Sequence, residues 1–309
     1  MNPMRGLLLA GSRNAWLQRQ ATKRRFVKQA VRRFMPGETL EEALGAAAQQ
    51  NGLGIAVTLT HLGENLSDRS EADAVLAHYQ TTLARIRSAN IRGEVSVKPT
   101  QLGLDIDAEL CTRHMRTLTE AARVHGSRLW IDMEGSDYTE ATLQLYRKLR
   151  ETHANVGVCL QAYLRRTRAD LESLLPMGPA IRIVKGAYAE PPEKAFPDKR
   201  DVDDNFHWMA EQLWKPGSRA NGAWATLGTH DKNLIHELEL LSKRMSVGAK
   251  DYEYALLYGI QRGEQLRLVK AGRNVRVLIS YGSHWFPWYM RRLAERPANL
   301  FFVARSMFS

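Results

Sequence analysis

The sequence predicts an α/β protein built as a closed (βα)8 TIM barrel with an N-terminal helical extension. Three observations carry that prediction. Eight apolar runs rich in β-branched residues recur along the chain, helical patterns separate them, and the eight repeats fit within about 250 residues. Strand and helix in alternation demand parallel strands with crossovers, and eight such units are the number that closes a barrel. An open doubly wound sheet is the structural alternative.

The extension is expected over residues 1–50 and the barrel over 51–309, including a C-terminal helix. Residues 1–36 hold nine Lys or Arg and no Asp or Glu, so most of the net charge of +11 sits there and the rest of the chain is close to balance. A solvated helix pair explains this opening segment best, with contact to an anionic lipid surface second. Nucleic acid is not an expected partner, because the charge is confined to one end.

The strands are expected at 55–60 (IAVTLT), 95–100 (VSVKPT), 128–133 (RLWIDM), 155–162 (NVGVCLQA), 180–187 (AIRIVKGA), 223–230 (AWATLGTH), 251–259 (DYEYALLYG) and 275–282 (VRVLISYG). Between them lie segments such as 70–89, 107–126 and 138–153, with apolar residues at i, i+3, i+4 and i+7 and Ser or Asp near their starts. In such a barrel chemistry belongs at the carboxyl ends of the strands. Polar residues fall there: Lys98, Asp132, Glu134, Gln161, Arg182, Lys185, Thr229, His230, Asp231, Tyr258 and Tyr281. A lone Lys or Asp in a strand is usually half of a structural ion pair, but seven polar strand ends are harder to dismiss. His230 and Asp231 are adjacent, so strand alternation turns only one of them to the site.

Other classes are thinly supported. No run of about 18 apolar residues marks a membrane span. Cys111 and Cys159 are the only cysteines, which points to a reducing, cytoplasmic setting and no disulfide framework. No Gly-rich nucleotide loop, HExxH or clustered Cys/His pattern occurs, so no metal site is expected. Near the C-terminus Arg291 and Arg292 stand one helical turn before Glu295. Two adjacent guanidinium forks call for an anion, and a carboxylate fits them bidentately. The plainer alternative is a solvated Arg–Glu helix face worth about 0.2–0.5 kcal/mol, and these three residues alone favour it.

Taken in order, VSVKPTQLGLD, WIDMEGS, LQAYLRRT, RIVKGAYAEPPEKAFPDKR, THD, LLYG and RRLAERPAN form a set that resembles the proline dehydrogenase family, in length its monofunctional bacterial branch. The resemblance runs from about residue 37 to the C-terminus. It implies FAD at the carboxyl face, oxidation of L-proline to Δ1-pyrroline-5-carboxylate, and quinone as electron acceptor, with peripheral contact at the inner face of the cytoplasmic membrane. By matching motif, Arg291, Arg292 and Lys98 would hold the substrate carboxylate and Glu295 would lie beside the ring amine. Asp132 would support the cations, and Leu257, Tyr258, Leu278 and Tyr281 would line the substrate pocket. Arg182 would donate near the flavin N5, with Gln161, Val184, Lys185, Gly186, Ala187, Tyr188, Thr229 and His230 around the cofactor. Glu64 resembles an acidic gate residue pairing with Arg291.

Three motifs depart from the family pattern. Leu278 replaces a tyrosine and is followed by Ser280 in place of proline, Ala255 replaces a glutamine, and Gly228 replaces alanine. The first departure opens hydroxyproline or another cyclic amino acid as an alternative substrate. Two further classes stay in view: a Schiff-base aldolase barrel using Lys98 or Lys185, and a surface-binding protein acting through residues 1–36. If Arg292 clamps the substrate, Arg292→Met gives a large rise in KM for proline in steady-state assays, and unchanged saturation removes the assignment.

Overall fold

The computed structural model describes residues 31–63, 66 and 68–295, with side chains described as far as Met290. Eight strands close into a barrel in chain order, every neighbouring pair parallel. They are β1 (Ala56–His61), β2 (Gly93–Val97), β3 (Leu129–Ile131), β4 (Val156–Gln161), β5 (Ala180–Val184), β6 (Trp224–Gly228), β7 (Tyr252–Leu257) and β8 (Asn274–Tyr281). The ring closes where β1 pairs with β8, Thr58 opposite Leu278 and Thr60 opposite Ser280. All eight expected strands exist, and an open sheet is excluded.

Most strands stop short of their expected ends, for local reasons. Pro99 has no N–H for the ladder and starts a 3-10 turn, Pro99–Leu102, so Lys98 sits just beyond β2. Gly186 has φ +117, a region L side chains avoid, and a Cβ there would lie 2.2 Å from the Tyr163 ring. The strand therefore yields to a loop before Lys185–Tyr188.

Ten α-helices lie wholly within the described residues. Helix α1 (Leu40–Gly52) starts at a capping box in which Thr39 accepts from the Glu42 backbone while the Glu42 carboxylate accepts from the Thr39 backbone. After each strand come α2 (Arg69–Ser88), α3 (Ala108–Val124), α4 (Thr139–Arg150), α5 (Thr167–Leu174), α6 (Lys199–Trp214) with the short α7 (Pro216–Ala220), α8 (Lys232–Arg244), α9 (Arg262–Lys270) and α10 (Trp285–Glu295). Asp68, Asp107 and Asp231 accept from backbone N–H groups at the starts of α2, α3 and α8. These short polar side chains satisfy donors that a helix cannot pair itself.

Helix α1 packs against both β1 and β8, the groove that a helix following β8 would ordinarily fill. Helix α10 is displaced as a result. Its Trp285, Phe286, Trp288 and Tyr289 form a second apolar cluster with Val31, Met35 and Leu62, separate from the main core. The backbone approach is tight, since a Cβ on Gly259 would lie 1.7 Å from the Arg33 carbonyl oxygen.

The lower barrel interior carries charge rather than hydrocarbon. Arg276 donates to Glu253 at 2.8 Å and to the Val57 carbonyl at 2.8 Å, and pairs with Glu94 at 3.3 Å. Glu94 in turn accepts from the Trp130 indole N–H at 2.6 Å. Removing one member of such a buried group strands the others, at a cost of about 3–5 kcal/mol. Arg276→Leu is therefore expected to destabilise the protein by about that much, read as a lower urea unfolding midpoint; an unchanged midpoint would show the two glutamates to be content without it.

Candidate active site

A cavity of about 690 Å³ opens at the carboxyl ends of the strands. It is within the usual size range of small-molecule sites. Alternation along each strand turns Lys98, Asp132, Gln161, Arg182, Val184, Leu257 and Leu278 into it. The loops after β5 and β6 add Lys185, Gly186, Ala187, Tyr188, Thr229 and His230. These thirteen sequence-predicted residues are thus brought together.

At the centre, one carboxylate is shared by two cations. Asp132 Oδ2 lies 3.3 Å from Lys98 Nζ, and its Oδ1 accepts from Arg182 Nη1 at 3.0 Å and from the Ser96 hydroxyl at 2.5 Å. Burial works against the Asp132 charge, but the charges of Lys98 and Arg182 and the Ser96 hydrogen bond outweigh it, holding the carboxyl below its usual range. The trio carries a net single positive charge. It can neutralise one anion. Arg182 Nη2 is buried and has no hydrogen-bond partner among the described residues, and neither does Gln161 Oε1. Gln161 spends its other end on the Met133 and Glu134 carbonyls, at 3.1 and 2.7 Å. Buried polar atoms of this kind are rarely left unmet, so two residues of the cavity lining each keep unspent hydrogen-bonding capacity, a donor on Arg182 and an acceptor on Gln161.

A second cluster rims the mouth. Lys185 bonds Asp231 at 2.9 Å and also Asp203, while Lys199 bonds Asp231 at 2.7 Å and also Asp203. Burial raises the cost of charge on Asp231, yet the hydrogen bonds from Lys199 and Lys185 prevail and hold its carboxyl well below the ordinary value. His230 and Asp231 both line the cavity. The expected opposite facing fails because β6 ends at Gly228, leaving both residues in the loop. His230 Nε2 accepts from the Leu257 backbone N–H at 3.0 Å, which puts the ring proton of the neutral imidazole on Nδ1.

Two expected pocket residues are elsewhere. Tyr281 points outward into the helix shell, its hydroxyl 2.8 Å from His78 Nε2 and 3.1 Å from Thr82 Oγ1. Tyr258 packs on the main core and does not line the cavity. Both have the strand parity opposite to Leu257 and Leu278, so the same alternation that admits the leucines turns the tyrosines away. Glu134 is likewise structural, accepting from the Thr100 hydroxyl at 2.7 Å and backbone N–H at 3.2 Å. Arg291, Arg292 and Glu295 belong to α10, whose Trp288 lines the cavity, but their side chains lie outside the described residues, as does Glu64.

Sequence reasoning missed Lys199, Gln261, Arg276 and Trp288 in the lining. Arg276 was findable in principle as a cation at an inner position of an apolar strand. Gln261 carried no such signal; it sits in a left-handed conformation, φ +50, which its side chain type does not announce. Gly228 is explained by space, because a Cβ would lie 2.8 Å from the Ile183 carbonyl oxygen.

Known proteins resemble this chain over most of its length. The family model described as "Proline dehydrogenase" matches residues 43–305. "Proline dehydrogenase 2" of Bacillus subtilis subsp. natto is 35% identical over 278 residues, covering 90% of each chain. "Proline dehydrogenase" of Deinococcus radiodurans is 34% identical over 280 residues, covering 89% of each. A crystal structure of proline utilization A from Bdellovibrio bacteriovorus inactivated by N-propargylglycine superposes with a TM-score of 0.80 at 20% identity, over 86% of this chain and 32% of that one, a likeness of fold.

Because the folded-state value of Asp132 lies below the ordinary 3.8, its stabilisation is fully present above that pH and is lost as the pH falls through the lower, folded value. Thermal stability is therefore expected to hold down to about pH 4 and fall below it. Asp132→Asn is expected to flatten part of that acid limb and to cost about 3–5 kcal/mol at neutral pH by leaving two cations unopposed. An acid limb unaltered by the substitution, measured by thermal melts across pH, contradicts this.

Proposed function

As the chain belongs to the proline dehydrogenase family, we propose that it oxidises L-proline to Δ1-pyrroline-5-carboxylate, with FAD as cofactor and quinone as final acceptor. The observation that carries this is the shared carboxylate: Lys98 and Arg182 converge on Asp132 at the cavity wall, and Arg182 keeps one buried nitrogen without a hydrogen-bond partner among the described residues. FAD, when bound, supplies the acceptor for the hydride that leaves the carbon beside the ring nitrogen.

Everything else is positioning. Lys98, with Arg291 and Arg292 from α10, holds the substrate carboxylate, while Asp132 keeps the cations from repelling one another. Clamping that far end turns a collision into an oriented encounter. Leu257 and Leu278, opposite one another in the β7–β8 register, form an apolar wall for the ring. On the family's motifs we assign Glu295 to the substrate amine and Glu64 to a gate with Arg291, their side chains lying outside the described residues. Arg182 offers Nη2 as a hydrogen-bond donor where charge accumulates on reduction. Gln161, Val184, Lys185, Gly186, Ala187, Tyr188, Thr229 and His230, all in the cavity lining, hold the cofactor. We read residues 1–50, of which 1–30 lie outside the described residues, as a helical extension and 51–309 as the catalytic barrel. Among the described residues no helix is long and apolar enough to cross a membrane, so access to quinone falls to a peripheral contact through the basic opening segment, each cation near anionic lipid being worth about 1 kcal/mol.

A second substrate reading has its own support. Leu278 and Ala255 line the cavity where the family pattern has larger residues, and Thr58, Thr60 and Ser280 line the same part of it. Hydroxyproline, with a ring hydroxyl, suits such a surface. The aldolase alternative is disfavoured, since Lys98 and Lys185 are both engaged by carboxylates instead of desolvated among apolar groups.

The purified protein is expected to be yellow and to bleach on anaerobic addition of L-proline. A colourless protein, or borohydride trapping of substrate on a lysine, would defeat the proposal. Comparison of kcat/KM for L-proline, 4-hydroxyproline and pipecolate then decides between the two substrates, and a clear preference for L-proline removes the second.

A further inference from the structure

Directly beneath the cation cluster lies a residue that touches no part of the cavity. Trp130, on β3 two residues before Asp132, is fully buried, and the Arg182 guanidinium carbon sits 4.5 Å from its ring centroid. A cation at this distance over an indole is attracted by the ring's negative face, most strongly where water is excluded. The ring is itself held. Its N–H donates to Glu94 at 2.6 Å, and Glu94 is fixed by Arg276, which also bonds Glu253. Its far edge crosses the neighbouring strand at Gly157, where an added Cβ would come within 2.6 Å of Trp130 Cζ3 and 2.7 Å of Cε3. The absence of a side chain at that one position is what admits the indole.

The remaining contacts of Arg182 explain why a support is needed. Asp132 and Ser96 both engage Nη1, at 3.0 and 3.1 Å. Two bonds to one nitrogen leave the planar fork free to hinge about it, and the hinge would swing Nη2, the nitrogen with no described partner. A flat surface under the guanidinium removes that freedom.

We propose that Trp130 is a positioning residue for Arg182: its face sets where Nη2 points, and thereby how strongly bound flavin favours its reduced state. The inference rests on the flavin reading of the preceding section. A donor that stays in place when negative charge develops stabilises that charge without reorganisation; a donor that hinges away does not.

The test uses the flavin-loaded protein and reads the flavin midpoint potential by equilibration with a reference dye, together with kcat and KM for L-proline. Trp130→Leu is expected to lower the reduced-to-oxidised ratio at fixed potential about tenfold, equivalent to about 30 mV for two electrons. It is expected to lower kcat while KM stays within about twofold, because Lys98 is untouched. Trp130→Phe, which keeps an aromatic face, returns the potential most of the way to wild type. Gly157→Ala drives the indole from its seat without deleting it, so it shifts the potential in the same direction, and it adds nothing further in the Trp130→Leu background. Should Trp130→Leu fail to fold, Gly157→Ala alone decides the matter. Flavin-loaded variants with the wild-type potential overturn this inference alone, whereas a wild-type protein that takes up no flavin overturns it together with the reading beneath it.

Discussion

The site depends on one constraint: a carboxylate placed inside the mouth of a closed barrel must be neutralised there. Asp132 meets it by engaging Lys98, just beyond β2, on one side and Arg182 from β5 on the other, with Ser96 supplying a third bond. Three strands are tied across the interior by that arrangement. Two cations on one carboxylate give the trio itself a net single positive charge. A barrel filled with Val, Ile and Leu at this level would be as well packed, but it would have no reason to bind an anion. The lower interior answers the same constraint with the opposite sign, since Arg276 serves two glutamates, Glu94 and Glu253. Trp130 stands between the two clusters, bonded to Glu94 by its edge and stacked on Arg182 by its face. The interior is thus a stack of alternating charges separated by an aromatic ring, in which each level limits how far the next can move.

Much of this was legible in the chain. The eight strands are short, β-branched and flanked by helix starts such as Asp107 and Asp231, and that alternation leaves few architectures. The inward facing of Lys98, Asp132 and Arg182 follows from the two-residue period once the strands are located. The same period misled at strand ends. Tyr258 and Tyr281 were expected in the pocket because they are polar and terminal, but their parity turns them outward, and Tyr281 finds its partners in His78 and Thr82 of α2. His230 and Asp231 share the cavity for the converse reason, that periodicity lapses where the strand has already ended. Not legible at all were pairings across long stretches of chain. Nothing near Lys199 announces Asp231, and nothing near Gly157 announces the indole of Trp130. Such pairs exist only after the barrel closes.

The place of α1 has an effect on assembly. Pairing of β1 with β8 joins segments more than 200 residues apart in the chain, Val57 facing Val277 for example, and contacts of such separation form late. Until then β1 would expose an unpaired edge, the kind of surface on which chains stick to one another. Helix α1 precedes β1 by only a few residues and lies along the seam that β8 will occupy. A local hairpin of helix and strand can therefore shield that edge from the moment it is made, and β8 arrives at a groove already half built. The helix displaced from this groove, α10, contributes Trp288 to the cavity wall instead, so the element denied a seat in the outer shell is one that meets the ligand chamber.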